Sequence, residues 1–248
     1  MNATAPRSTF TVWDLPLRLF HWLLVASIAV AFLSSEEDSA LAGWHIASGW
    51  VAAVLIVFRL VWGIMGGEHA RFVNFIRPSR AFAHLKDLAC GKAERTVGHN
   101  PAGGLAVLLL LGCIAAVLAT GWIALQGGEE DLHEAIAWAL LGLIGVHVAA
   151  VITTSILSRE NLVRAMVTGR KKAADHPEVR RVRTASPAAF IVAIAVSAAA
   201  VAGIRSIDPQ AFSLQQREGV EREGGEREGG EASEKSGTAE HEGKPDRD

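Results

Sequence analysis

The chain has 248 residues, half of them hydrophobic, with a formal net charge of −2 and a mean hydropathy of +0.26. This composition is too apolar for an ordinary soluble domain, and it lacks the strong positive charge of a nucleic-acid-binding protein. A hydrocarbon core about 30 Å thick needs roughly 20 apolar residues per helix. Five segments meet that length and predict an all-α integral membrane protein: 17–34, 43–65, 104–126, 132–155 and 187–204.

The first segment has only some features of a secretory signal. Arg7 and Arg18 are the basic residues near its start, but AFLSSEED offers a weak cleavage site and the apolar run begins with the bulky residues LFHWLL. We therefore expect this segment to be retained as the first transmembrane helix.

The chemistry available to these helices is limited by the cysteines. Cys90 lies in a connection and Cys113 lies within the third segment, so neither a CxxC motif nor a disulfide is expected. Metal chemistry in this chain would therefore depend on histidine.

The composition changes after the fifth segment. Residues 206–248 hold twelve acidic and six basic residues, a net of −6, so the rest of the chain sums to +4. This Glu/Gly-rich stretch cannot bury enough apolar surface to offset its ordering entropy, which predicts a disordered tail, either a solvated extension or a partner-binding segment. We expect three parts: a transmembrane domain at 1–172, a basic linker and fifth helix at 173–205, and the tail.

The connections between segments differ in charge. Those at 66–103 and 156–186 are rich in Lys and Arg, whereas those at 35–42 and 127–131 contain neither and carry acidic residues. Because Lys and Arg are enriched on the cytoplasmic side, we predict a multi-pass protein of the bacterial inner (cytoplasmic) membrane with a cytoplasmic N-terminus. Five helices then place the tail in the periplasm.

Four histidines lie within the predicted transmembrane segments, and they form two pairs of similar depth in the membrane. His45 and His133 lie near the outer ends of their helices, and His21 and His147 lie in the inner half. His133 and His147 are fourteen residues apart, roughly 21 Å along one helix and about 40° short of four full turns. One face of this helix thus carries two histidines at two depths in the membrane. Two stacked haems, each with two axial imidazoles, would require such an arrangement.

Other interpretations of these histidines remain open. A single histidine at a helix end is usually an interfacial residue with access to water, and a zinc or proton-relay site would use the same residue type. We interpret the histidines of the connections and the tail as solvated side chains: His69, His84, His99, His176 and His241.

The chain resembles a known family in five stretches: VWDLPLRLFHW, GWHIASGW, FRLVWGIMGGEHARFVNFIRP, GHNPAGG and LHEAIAWALLGLIGVHVAAVITTSILSRENLVRAMVTGRK. They are similar to bacterial di-haem cytochromes b, the cytochrome b561 and nickel–iron-hydrogenase b-type subunit superfamily. The resemblance covers about residues 10–172. It implies a four-helix bundle with two b-type haems that exchanges electrons with quinone, a c-type cytochrome or another redox subunit.

The resemblance also implies specific iron ligands. His21 and His147 would bind the inner haem, and His45 and His133 the outer haem. The fifth helix and the tail depart from the four-helix pattern of the simplest members, so we assign them no cofactor role.

Haem propionates are anionic and bind Arg, Lys or backbone donors. Arg18, one turn before His21, and Arg59, in the inner half of the second helix, are candidates for the propionates of the inner haem; snorkelling to lipid headgroups is the alternative for both. Six glycines would let a macrocycle or a neighbouring backbone approach, although small residues are common wherever membrane helices pack: Gly43, Gly49, Gly112, Gly121, Gly142 and Gly145.

These features predict transmembrane electron transfer in a respiratory chain, with no catalytic side chain assigned. Three versions remain: a stand-alone cytochrome b that oxidises or reduces quinone, the haem-bearing membrane anchor of a hydrogenase-like enzyme, and a haem-free transporter or metal site. A homodimer is left open.

Overall fold

A computed structural model describes residues 9–35, 41–76, 80, 83, 86–87, 90–92, 95–177 and 182–215. By length and composition, five helices in this part of the chain can cross a membrane: α1 (Leu15–Leu33), α2 (Ala42–Met65), α3 (Pro101–Leu125), α4 (Glu130–Ser158) and α5 (Pro187–Ile207). Each predicted segment falls on one of them, and the bounds differ by at most three residues. The predicted all-α membrane fold is confirmed.

Three of the helices begin in the same way. A polar side chain accepts a hydrogen bond from the backbone three residues later, and a proline lies in the first turn. These caps are Asp14 on α1 (3.0 Å to Leu17 N), Asn100 on α3 (2.6 Å to Gly103 N) and Ser186 on α5 (3.1 Å to Ala189 N). The helix α4 instead has Glu130 and Asp131 in its first turn, where negative charge is favourable.

The helices pack as two antiparallel pairs, and the fifth helix packs against one of these pairs. The helix α1 packs on α2, α3 packs on α4, and α5 lies against α2. The start of α1 meets the end of α2, where the indole nitrogen of Trp62 donates to Asp14 Oδ1 at 3.1 Å. Large apolar side chains remain exposed around the bundle, including Val146, Ile156 and Ile191. An apolar exterior of this kind suits contact with lipid.

The end of the bundle that holds residues 9–14, 66–76, 95–100, 159–177 and 182–186 is called the basic end. Here β1 (Thr9–Thr11) pairs antiparallel with β2 (Arg170–Lys172). Below the sheet, Glu160 accepts from Lys171 Nζ at 3.0 Å and contacts His176 Nε2 at 2.6 Å, and all three side chains are buried. The expectation that His176 is solvated is therefore wrong, because this buried carboxylate binds it.

The opposite, acidic end holds residues 34–35, 126–129 and 208–215. After α5 the chain folds back over the start of α2, where the indole nitrogen of Trp50 donates to Asp208 Oδ2 at 2.9 Å. A Cβ added to Gly43 would lie 2.7 Å from the carbonyl oxygen of Leu214, so this glycine makes room for backbone rather than for a macrocycle. Residues 206–215 of the predicted tail thus pack on the bundle, and residues 216–248 lie outside the described residues.

Candidate functional site

Near the acidic end, two of the predicted histidines face each other across the bundle. His45 and His133 are each the fourth residue of their helices, α2 and α4, and their rings have centroids 6.0 Å apart and planes 85° apart. Both side chains are partly buried. The antiparallel arrangement of α1 with α2 and of α3 with α4 brings these helix ends to one level.

Backbone carbonyls fix the orientation of both rings. Nδ1 of His45 lies 2.9 Å from the carbonyl oxygen of Ala31, and Nδ1 of His133 lies 3.0 Å from that of Val117. Because a carbonyl oxygen only accepts, each Nδ1 carries the proton and each Nε2 keeps its lone pair. A metal-binding imidazole is held in this way, with one nitrogen bonded to the backbone and the other left for the metal.

The spacing of this pair fits a haem iron. An iron bonded at about 2 Å to one nitrogen of each of two opposed rings holds the ring centroids roughly 6 Å apart. Gly121 of α3 makes room for the His133 ring, since a Cβ there would lie 2.9 Å from its Cε1. The candidate glycines Gly49, Gly112, Gly142 and Gly145 have open space where a Cβ would lie.

The other predicted pair lies towards the basic end. His21 of α1 and His147 of α4 are partly buried, and their side chains are close enough to interact electrostatically. In contrast to the first pair, Nδ1 of His21 is buried without a hydrogen-bond partner. The helix α4 therefore contributes one histidine to each pair, as its helical phase predicts.

The two candidate arginines have different surroundings. Arg59 is 2% exposed, donates from Nη1 to the carbonyl oxygen of Ala70 at 3.1 Å, and lies over the Phe72 ring with its Cζ 4.5 Å from the centroid. Arg18 donates from Nε to the carbonyl oxygen of Met166 at 3.3 Å and from Nη2 to that of Val167. Arg18 thus binds the end of the short helix Leu162–Thr168, where a cation is favourable.

Two histidines of the basic end differ from their expected solvated state. His99 packs between aromatic rings, with centroids 4.7 Å from Trp13 and 4.3 Å from Phe75. Its Nδ1 and the Nε2 of His69 are buried without a hydrogen-bond partner. Burial, followed by the charge of Arg59, lowers the pKa of His99 to about 3.

The sequence holds one weak signal for the burial of His99. It precedes the Asn100 cap, and a residue at that position often packs back against the first turns of its helix. Its ring partners are far away in sequence, so no local pattern shows that they enclose it.

The histidines occur as pairs rather than as larger metal-binding clusters. In the residues that the structure describes, no group of three or more His, Cys, Asp or Glu side chains could hold a metal ion. A pair on opposite helices is the set that a porphyrin iron takes as axial ligands, because the porphyrin supplies the other four nitrogens.

Apolar spans and facing histidines together define a class, the helical membrane proteins that hold haem between their helices. Comparison with known sequences agrees: residues 12–169 match the family described as prokaryotic cytochrome b561, and the chain belongs to that family. As a b-type cytochrome of this family, it binds haem b and transfers electrons.

Relatives of similar length carry one descriptive name, "Probable Ni/Fe-hydrogenase B-type cytochrome subunit". The protein from Azotobacter vinelandii is 27% identical, over 64% of this chain and 86% of the relative. That from Bradyrhizobium diazoefficiens is 23% identical, over 68% and 88%, and that from Cupriavidus necator is 26% identical, over 64% and 85%. No solved structure matches the chain.

Proposed function

We propose that this chain carries electrons across the bacterial inner membrane through two b-type haems, each held by two histidines. His45 and His133 would hold one haem, and His21 and His147 the other. The main support is the geometry of the first pair: a 6.0 Å separation of the rings, with both Nδ1 atoms bonded to backbone carbonyls. The haems supply one-electron redox chemistry when bound, and the protein supplies orientation, burial and charge.

The histidine-bearing helices would keep the two haems at a fixed separation. His133 and His147 lie on one continuous helix, so their separation of roughly 21 Å along α4 cannot change without breaking it. The carbonyls of Ala31 and Val117 hold the imidazoles of the first pair in the tautomer that binds iron. No side chain is needed as a general acid or base for this transfer.

Of the two candidate arginines, Arg59 is better suited to a haem propionate. Its buried guanidinium has a single hydrogen bond, to a neutral carbonyl, whereas Arg18 binds two carbonyls at the end of a short helix. We keep both as propionate-binding candidates, in this order.

The family and the names of the relatives support a proposal for the electron donor and acceptor. We propose that the chain exchanges electrons between quinone or quinol in the membrane and a redox partner, either a c-type cytochrome or the electron-transferring subunit of a hydrogenase-like enzyme. The names of the relatives favour the second partner. The charge pattern supports a cytoplasmic basic end, a periplasmic tail and the division at residues 172 and 205.

Spectroscopy of the purified membrane protein tests the two-haem proposal. A reduced-minus-oxidised spectrum should show a b-type α-band, and haem extraction should give two haems per chain. His147→Ala should lower the ratio to one, because it removes an axial ligand, whereas the tail variant His241→Ala should keep two. An absent α-band would favour the haem-free transporter or metal site, whereas a ratio unchanged by His147→Ala would contradict the assignment of His147 as a haem ligand.

The partner needs a separate experiment. Gentle solubilisation followed by affinity purification should recover a hydrogenase-like enzyme if the chain is a membrane anchor. Quinol-dependent reduction of a c-type cytochrome by the isolated chain would identify the stand-alone form instead.

A further inference from the structure

Three polar side chains come together at the basic end: Arg59, already a candidate for a haem propionate, and two histidines that have no role so far. Arg59, His69 and His99, named here the Arg59 pocket, lie around Trp13 and the turn that follows α2. The rings of both histidines contact the Trp13 ring, at centroid distances of 6.4 and 4.7 Å. His99 interacts electrostatically with both other members of the pocket.

The pocket contains a buried positive charge without a salt bridge, because the nearby Asp14 carboxylate is bonded to the Trp62 indole and the Gly67 N–H instead. Arg59 is 2% exposed, and among the described residues no carboxylate lies within ion-pair distance of its guanidinium. Its guanidinium donates to one carbonyl oxygen and lies over one aromatic ring, which leaves several of its N–H groups unused. A buried charge in a membrane protein is usually paired, so this one indicates a missing anion.

The two histidines add unused nitrogens to the same pocket. Nε2 of His69 and Nδ1 of His99 are buried without hydrogen-bond partners. Buried polar atoms in native proteins are nearly always bonded. Two unpaired nitrogens beside an unpaired guanidinium therefore indicate one ligand that satisfies all three.

The position of the pocket identifies this ligand. The Phe20 and Phe58 rings stack with their centroids 6.5 Å apart, so the next residues along α1 and α2, His21 and Arg59, lie at nearly the same level of the bundle, and His21 is a ligand of the second haem in the proposed function. We infer that Arg59, His69 and His99 bind the propionate carboxylates of the haem held by His21 and His147. This inference rests on the proposed function and adds two binding residues to it.

The chemistry of a carboxyl group fits each member of the pocket. A carboxylate pairs with the guanidinium of Arg59 in a fork-shaped hydrogen bond. His99 Nδ1 can share one proton with a carboxyl oxygen, which satisfies both atoms whichever of them carries it. By compensating the negative charge beside the iron, the pocket stabilises the reduced haem and raises its midpoint potential.

The test uses the intact protein and two variants of the same pocket. His99→Phe removes both ring nitrogens and keeps an aromatic ring between Trp13 and Phe75. Phe75→Leu is the matched control, because it alters packing against His99 without changing the polar atoms. Redox titration of purified His99→Phe should show a lower midpoint potential for one haem and an unchanged potential for the other. In Phe75→Leu, the potentials of both haems should stay close to those of the wild type.

Infrared difference spectroscopy examines the carboxylates themselves. Haem with isotopically labelled propionate carboxyl carbons identifies their bands in the reduced-minus-oxidised spectrum of the wild type. His99→Phe should shift the bands of one haem, whereas Phe75→Leu should leave them in place. If His99→Phe fails to fold, His99→Gln retains a hydrogen-bonding amide and should shift the same bands by a smaller amount.

Two outcomes distinguish this inference from the proposed function. If both haems bind and the propionate bands and potentials are the same in His99→Phe and the wild type, the propionate inference is wrong and the two-haem function stands. If the wild type binds no haem, the proposed function itself fails.

Discussion

The two histidine pairs differ in what holds them. At the acidic end, His45 and His133 are both bonded to backbone carbonyls and face each other at 6.0 Å, with Gly121 making room for one ring. Towards the basic end, Nδ1 of His21 is buried and unpaired, and the neighbouring Arg59 pocket has unused donors. Backbone carbonyls orient the first pair, whereas in the proposed two-haem arrangement the cofactor would satisfy the groups around the second pair.

The pairing itself gives the largest expected effect. His45→Ala and His133→Ala should remove the same haem, so their double variant should retain one haem per chain. His45→Ala combined with His147→Ala should retain none, because it removes a ligand from each pair. Haem-to-protein ratios measure this, and equal haem loss in the two double variants would contradict the assignment of the pairs.

Acid should destabilise the haem-free basic end through His99. Its pKa is about 3 in the folded chain and 6.5 in a model peptide, so the folded state binds fewer protons between these values. The free energy of unfolding should therefore fall as the pH drops below 6.5, by up to about 1.4 kcal/mol per pH unit. Thermal unfolding of haem-depleted wild type and His99→Phe should show a shallower pH dependence for the variant.

Gly121→Ala should disturb only the pair at the acidic end. The added Cβ would lie 2.9 Å from His133 Cε1, so the ring must move, at a cost of about 1–3 kcal/mol. We expect lower occupancy of that haem and an unchanged second haem in a redox titration. Gly142→Ala, where a Cβ meets open space in the described chain, is the control.

The smallest effect is expected at Thr120, whose Oγ1 lies 3.3 Å from His133 Nδ1. Thr120→Val should leave the bond to the Val117 carbonyl intact and change stability by about 1 kcal/mol or less. A small shift of one haem potential with full haem occupancy would agree. Loss of that haem would mean that the carbonyl alone does not orient the ring.

The spans and the meeting of His45 with His133 could be predicted because they depend on short-range regularities. Apolar length defines each helix, and the fourteen-residue spacing of His133 and His147 places both on one helix face. Charge in the connections gives the alternation that brings His45 to the level of His133. Apolar length, histidine spacing and the charge of the connections can be taken from the sequence without knowing which side chains are in contact.

The basic end could not be predicted in the same way, because its contacts join distant parts of the chain. His99 is enclosed by Trp13 and Phe75, and Glu160 binds both Lys171 and His176. The proximity of Arg18 to His21 predicts a propionate-binding role, but it does not show that the guanidinium also donates to a carbonyl 148 residues away. The amino-acid composition of a connection is the same whether its Lys, Arg and His side chains are solvated or packed.

The pairing of β1 with β2 has a consequence for biogenesis. Thr9 is aligned with Lys172, so the first described residues find their partner only after four spans have been made. At a synthesis rate of about 5–20 residues per second, the interval is roughly 10–30 s. During that time the N-terminal segment is unpaired, and closure of this small sheet marks the point at which the first and fourth spans have both been inserted.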